Sequence, residues 1–123
     1  MRRLLATACI LAATVSSAQA MTVEAFLAKA EGLKAKGMMA MMSSDVGLLR
    51  GEMKTVSSAY RADIDAAQKA GKPAHSCPPP KGQGSVSSDE VMAEFNRIPA
   101  AQRSRISVKD AFYAMMKKRY PCK

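Results

Sequence analysis

Ser76-Cys77-Pro78-Pro79-Pro80 at one end and Tyr120-Pro121-Cys122-Lys123 at the other bracket the second half of the sequence, and this bracket decides the fold. One cysteine stands just past the middle of residues 21–123 and the other at the end. A pair so placed reads as a staple rather than a catalytic site, provided the chain reaches an oxidising compartment. The opening residues supply that condition. Arg2 and Arg3 give a positive start, Leu4 to Val15 is apolar apart from threonines, and Ala18-Gln19-Ala20 fits the small-x-small rule of a signal peptidase. Cleavage is expected before Met21, which makes residues 1–20 a removable signal peptide and 21–123 a single periplasmic domain. The apolar stretch falls short of the about 20 residues that a membrane span needs. No transmembrane segment is therefore expected in the mature chain. Cys9 sits inside that stretch and leaves with it, so Cys77 and Cys122 remain as the disulfide pair.

A domain of this size buries only a limited core, and a staple is correspondingly useful. Closing the loop from Cys77 to Cys122 should restrict the unfolded chain by about 4 kcal/mol. No Cys-x-x-Cys spacing occurs, which leaves a redox motif or a structural zinc site without support. The formal net charge is +9, and most of that excess stays with the mature part. In the periplasm it favours anionic surfaces or acidic partner proteins, or serves solubility alone. Nucleic acid is excluded as a partner, because export separates the two and the basic residues lack interleaved aromatic residues for stacking.

Periodicity across residues 21–123 is helical throughout. Thr22 is placed as an N-cap with Glu24 in the first turn. Val23, Phe26, Leu27, Ala30 and Leu33 recur at steps of three and four, and Gly37 suits the end of that helix. Ser43-Ser44-Asp45 can cap a second, long helix whose stripe is Leu49, Met53, Val56, Tyr60, Ile64 and Ala67, running to about Ala70. Gly51 and Ser57-Ser58 weaken it locally and are expected to let another helix approach. Residues 71–86, rich in proline and glycine, form the principal loop. Ser87 and Glu90 make a capping box for a third helix with Val91, Met92, Phe95 and Ile98 inward, closed at Pro99. Ser107 caps a last helix, with Asp110 in the acidic position and Val108, Ala111, Phe112 and Met115 inward. The sum is an all-α fold, a small four- to five-helix domain stapled by one disulfide.

The order of these features resembles the Rap/Tai family of type VI secretion immunity proteins. The likeness is carried by Cys77-Pro78-Pro79, the helix from Val86 to Ile98, Ser107-Val108, Ala111-Phe112 and Tyr120-Pro121-Cys122. It covers mainly residues 76–123, with a looser helical match over residues 44–70. The resemblance implies a small periplasmic all-α protein, often a homodimer, that neutralises a peptidoglycan amidase effector. Such a protein is no enzyme and holds no cofactor. It blocks the active-site cleft with a rigid surface, preorganised so that little ordering is needed on binding.

Residues with chemistry of their own are few. Met38, Met39, Met41 and Met42 bring Met-x-Met and Met-x-x-Met spacings, and thioethers are soft donors that select Cu(I). They serve equally as flexible apolar filling or as a contact surface. His75 is the only histidine, and its cysteine neighbour is expected to be oxidised, which removes a Cys–His nucleophile. Asp63 and Asp65 are two apart and do not share a helix face. Gly82-Gln83-Gly84 is too short to read as a phosphate loop. Lys117, Lys118 and Arg119 form the densest basic cluster, suited to the helix dipole or to an acidic partner. Candidate partner contacts are therefore Met38, Met39, Met41 and Met42 in the junction from Gly37 to Asp45, Lys81 in the loop from Lys81 to Ser88, and Lys117, Lys118 and Arg119. The competing functional class is a small periplasmic acid-stress chaperone, whose carboxylates would release its fold at low pH.

Overall fold

The computed structural model describes residues 20–123. The expected signal peptide, Cys9 included, lies outside the described residues except for Ala20. Four α-helices follow in order: α1 Val23–Lys36, α2 Ser44–Lys69, α3 Ser88–Arg97 and α4 Val108–Arg119. Two 3-10 turns, Gly37–Met42 and Ala100–Gln102, join the first and the last pairs. No strand is formed among the described residues, and the all-α class with its single staple stands. No helix there is long and apolar enough to cross a membrane.

Each helix begins where local chemistry allows. The side chains of Thr22, Ser43, Ser87 and Ser107 accept from the backbone N–H groups of Ala25, Asp45, Glu90 and Asp110, which satisfies donors that have no partner within the helix. At α3 the box is reciprocal: the Glu90 carboxylate accepts from the Ser87 N–H at 2.7 Å. Gly37 ends α1 with φ at 56°, a left-handed conformation that a side chain would strain.

The amphipathic faces close on one core. Phe26 of α1 meets Phe95 of α3 edge-on at 5.5 Å, and Tyr60 of α2 meets Phe112 of α4 at 5.8 Å. Val56, Ile64, Val91, Val108 and Met115 fill the space between them. Burying one such side chain is worth about 1.5–3 kcal/mol, so these contacts carry the helix packing. The starts of α1 and α4 are also tied directly. The Val23 N–H donates to the Ile106 carbonyl at 3.0 Å, and the Val108 N–H to the Met21 carbonyl at 2.9 Å. The two capping residues Thr22 and Ser107 thereby lie side by side.

The loop between α2 and α3 is fastened along its length. Cys77 and Cys122 are joined, with Cα atoms 5.0 Å apart, and the Cys77 N–H donates to the Tyr120 carbonyl at 2.8 Å. Arg61 of α2 donates to the Pro79 carbonyl at 3.0 Å. Ser76 is fully buried and shares a short hydrogen bond with the Tyr60 hydroxyl. The two glycines of Gly82-Gln83-Gly84 have structural duties. Gly82 turns the chain at φ 92°, and Gly84 lies so close to Pro79 that a Cβ there would stand 2.6 Å from the ring.

One expectation fails. Gly51 does not admit a neighbouring helix: it is exposed, and nothing lies within 4 Å of where its Cβ would be. It falls outside the stripe from Leu49 to Ile64 and so faces water. Ser57, on a half-buried position of the same helix, turns its hydroxyl back to the Lys54 carbonyl at 3.2 Å.

Candidate functional site

The six residues Gly37-Met38-Met39-Ala40-Met41-Met42 are two triplets, small-Met-Met repeated, and they fold as a 3-10 turn. A 3-10 helix has three residues per turn, so residues three apart eclipse. Gly37 enters the turn at φ 56°, and from there Met38 and Met41 share one edge, Met39 and Met42 the next, with Ala40 on the third. The period of the sequence thus matches the period of the backbone. Ala40 is the half-buried member, while Met38, Met39, Met41 and Met42 are 94, 65, 85 and 83 % exposed. The result is an apolar ridge between α1 and α2, and Leu48 in the second turn of α2 is itself 51 % exposed.

The ridge is held from both sides. The Lys29 ammonium of α1 lies 3.0 Å from the Asp45 carboxylate at the start of α2, and the Lys36 ammonium donates to the Ser43 hydroxyl at 3.3 Å. The Ser43 N–H returns to the Ala40 carbonyl at 2.9 Å. The methionines are therefore exposed on an anchored turn. The same two helices wall an open groove of about 560 Å³, with Leu33 from α1, Leu49 and Met53 from α2, and Val86 and Met92 on the far side. Arg50 stands at its edge.

The other candidate contacts lie elsewhere. Lys81 borders a cleft between α2 and the proline loop, together with Arg61 and Asp65. Lys117, Lys118 and Arg119 form the last turn of α4, as expected. All three are exposed, and two of them pair across to α3. Arg119 donates to Glu90 at 2.6 Å and to the Ser85 carbonyl at 3.3 Å, and Lys118 lies 3.6 Å from Glu94. Lys117 is exposed. The Ser87 N–H, then Arg119 and the Ser87 hydroxyl, bring the Glu90 carboxyl down to about 2. The basic cluster thus fastens α4 to α3, and the ridge borders other elements.

A polar cluster around Ser76 was not legible from spacing. Tyr113 donates to Asp63 at 2.6 Å and packs its ring against Tyr60 and His75. Burial, and then the bond to Asp63, push the Tyr113 hydroxyl well above the ordinary tyrosine range. His75 thus lies against an aromatic ring beside the staple, while its neighbour Cys77 is held in the disulfide. Among the described residues, no group of three or more His, Cys, Asp or Glu could hold a metal ion.

Leu48 and the groove were also missed. Leu33, Leu49 and Met53 of the apolar stripes are half-buried: Leu49 and Met53 pack against the core, and all three also line the groove. Set beside known proteins, the chain matches no family model, no curated protein and no solved structure.

Proposed function

We propose that residues 21–123 form a periplasmic protein-binding domain, an immunity protein that blocks a peptidoglycan amidase effector of type VI secretion, with the methionine ridge as its principal contact. The observation that carries this reading is the exposure of Met38, Met39, Met41 and Met42 on an anchored turn. Burying a methionine is worth about 1.5–3 kcal/mol, a gain the free chain forgoes at each of these positions. Contiguous exposed apolar surface of this kind marks an interaction site. The long, flexible thioether side chain also adapts to an irregular partner surface.

The amidase follows from the Rap/Tai likeness over residues 76–123. An inhibitor works by rigid occlusion, and the staple, the four capped helices and the Lys29–Asp45 pair supply the rigidity. Binding rather than catalysis is the role this assigns to the domain.

The test is capture from periplasmic and secreted extract with residues 21–123 as bait, followed by mass spectrometry and an assay of cell-wall peptide cleavage. One peptidoglycan hydrolase, retained stoichiometrically and inhibited, is the expected result. Changing all four methionines to serine should release it. A broad set of unfolded clients, gained only at low pH, would instead establish the acid-stress chaperone. Retention of nothing would overturn the protein-binding reading.

A further inference from the structure

We propose that the thioethers of Met38, Met39, Met41 and Met42 form a binding site for a soft monovalent metal cation, Cu(I) or Ag(I). This goes beyond the protein-binding reading and does not rest on it.

The donor chemistry comes first. A thioether sulfur is uncharged, polarizable and soft, and it selects Cu(I) over hard cations that prefer oxygen. Four of the chain's ten methionines fall within five consecutive residues. Met115 and Met116, by contrast, are buried in the core and serve packing. The two cysteines that would otherwise compete as soft donors are joined to each other. The ridge is therefore where accessible soft donors concentrate.

The backbone supplies the arrangement. Eclipsing on a 3-10 turn sets Met38 beside Met41 and Met39 beside Met42, each pair about 6 Å apart along the axis. The two pairs occupy neighbouring edges, with the half-buried Ala40 on the third. Each methionine has three rotatable bonds to its sulfur and methyl, enough to close sulfur atoms from both edges on one ion. Because the side chains are exposed, an ion reaches them without any opening of the fold.

Charge restricts the ion further. Lys34 and Lys36 lie one turn before the ridge, and Asp45, the nearest carboxylate after it, is paired with Lys29. With no carboxylate within the turn to neutralise a divalent ion, a singly charged soft cation is the one that fits.

The experiment uses residues 21–123 with the disulfide intact and methionine methyl groups labelled with carbon-13. Ag(I) serves as the redox-inert probe in an NMR titration, and Cu(I) is presented in competition with a chromophoric chelator. The methyl signals of Met38, Met39, Met41 and Met42 should shift together and saturate at one ion per chain, while those of Met115 and Met116 stay. Changing the four to leucine should abolish binding with helicity and melting temperature unchanged. The readout is metal binding by the isolated chain with no partner present, so it is scored separately from capture of a protein. No shift at equimolar Ag(I), or an unaltered response in the leucine variant, would overturn the site and leave the protein-binding reading untouched.

Discussion

Replacing Cys77 and Cys122 by serine should reveal how far the domain depends on its staple. The bridge closes a loop with a sequence separation of 45, and the loop-closure relation assigns that length about 4 kcal/mol at 25 °C. A domain of roughly 100 residues has a net stability of about 5–15 kcal/mol, so the staple accounts for a large share. At about 4–8 °C per kcal/mol for a domain of this size, the melting temperature should drop by about 20 °C or more. The effect belongs to the unfolded chain. In the folded state the loop keeps the Cys77–Tyr120 backbone bond, the Arg61–Pro79 bond and the Tyr60–Ser76 bond, so helicity before the transition should not change. Urea melts followed by circular dichroism, with and without a reductant, make the measurement. The slope of stability against urea should rise, because the reduced unfolded chain exposes more surface. Agreement of the stabilities extrapolated to water to within about 1 kcal/mol would refute the entropic account and assign the loop's order to its hydrogen bonds alone.

Three further perturbations probe the local arguments. Tyr60→Phe leaves the buried Ser76 hydroxyl with only the His75 ring nitrogen at 3.5 Å, and should cost about 1–3 kcal/mol. Adding Ser76→Ala should return part of that loss, so additive effects in a double-mutant cycle would disprove the pairing. Two glycine substitutions should differ in sign. Gly84→Ala meets Pro79 at 2.6 Å and should lower stability by about 1–3 kcal/mol. Gly51→Ala has open space in mid-helix and should raise it by about 0.4–1 kcal/mol in the same denaturation assay. Glu90 has its carboxyl lowered from 4.5 to about 2, so folding favours its ionised form. Its contribution is complete above pH 4.5 and is lost as pH falls through about 2. The stability gap between wild type and Glu90→Gln should therefore narrow only on that acid side, and a gap that closes near neutrality would contradict the capping-box assignment.

The helices were legible because their starts are local chemistry. Thr22, Ser43, Ser87 and Ser107 each stand where a side-chain oxygen can meet a nearby N–H, and periodicity does the rest. The staple was legible because only two cysteines survive removal of the expected leader. Contacts between residues distant in sequence left no such trace. Nothing in the spacing of Thr22 and Ser107 says that the two caps pair, and nothing in Tyr60 says that its hydroxyl meets Ser76. Lys118 and Arg119 read as suited to the helix dipole or to an acidic partner, because the carboxylates they meet, Glu94 and Glu90, lie on another helix. The methionines were recognised as a cluster and as candidate contacts, with filling and display left as equal readings. Apolar residues at a junction fit burial as well as display, and only the observed 3-10 turn separates the two.

That separation bears on which face meets a partner. The cations most conspicuous in the sequence, Lys118 and Arg119, are committed to holding α4 on α3, and an exposed ion pair of this kind contributes at most about 1 kcal/mol. Around the ridge the pattern is reversed. Lys34 and Arg50 pair with no carboxylate among the described residues, and between them stands apolar surface with no charge of its own. An apolar centre with a basic edge is the arrangement in which desolvated side chains supply affinity and rim charges set orientation and encounter rate. On the proposed protein-binding reading, such a surface fits a partner that presents an apolar recess rimmed by carboxylates. The fold leaves that surface available by keeping Met38, Met39, Met41 and Met42 out of its own core, on a turn whose one half-buried member is Ala40.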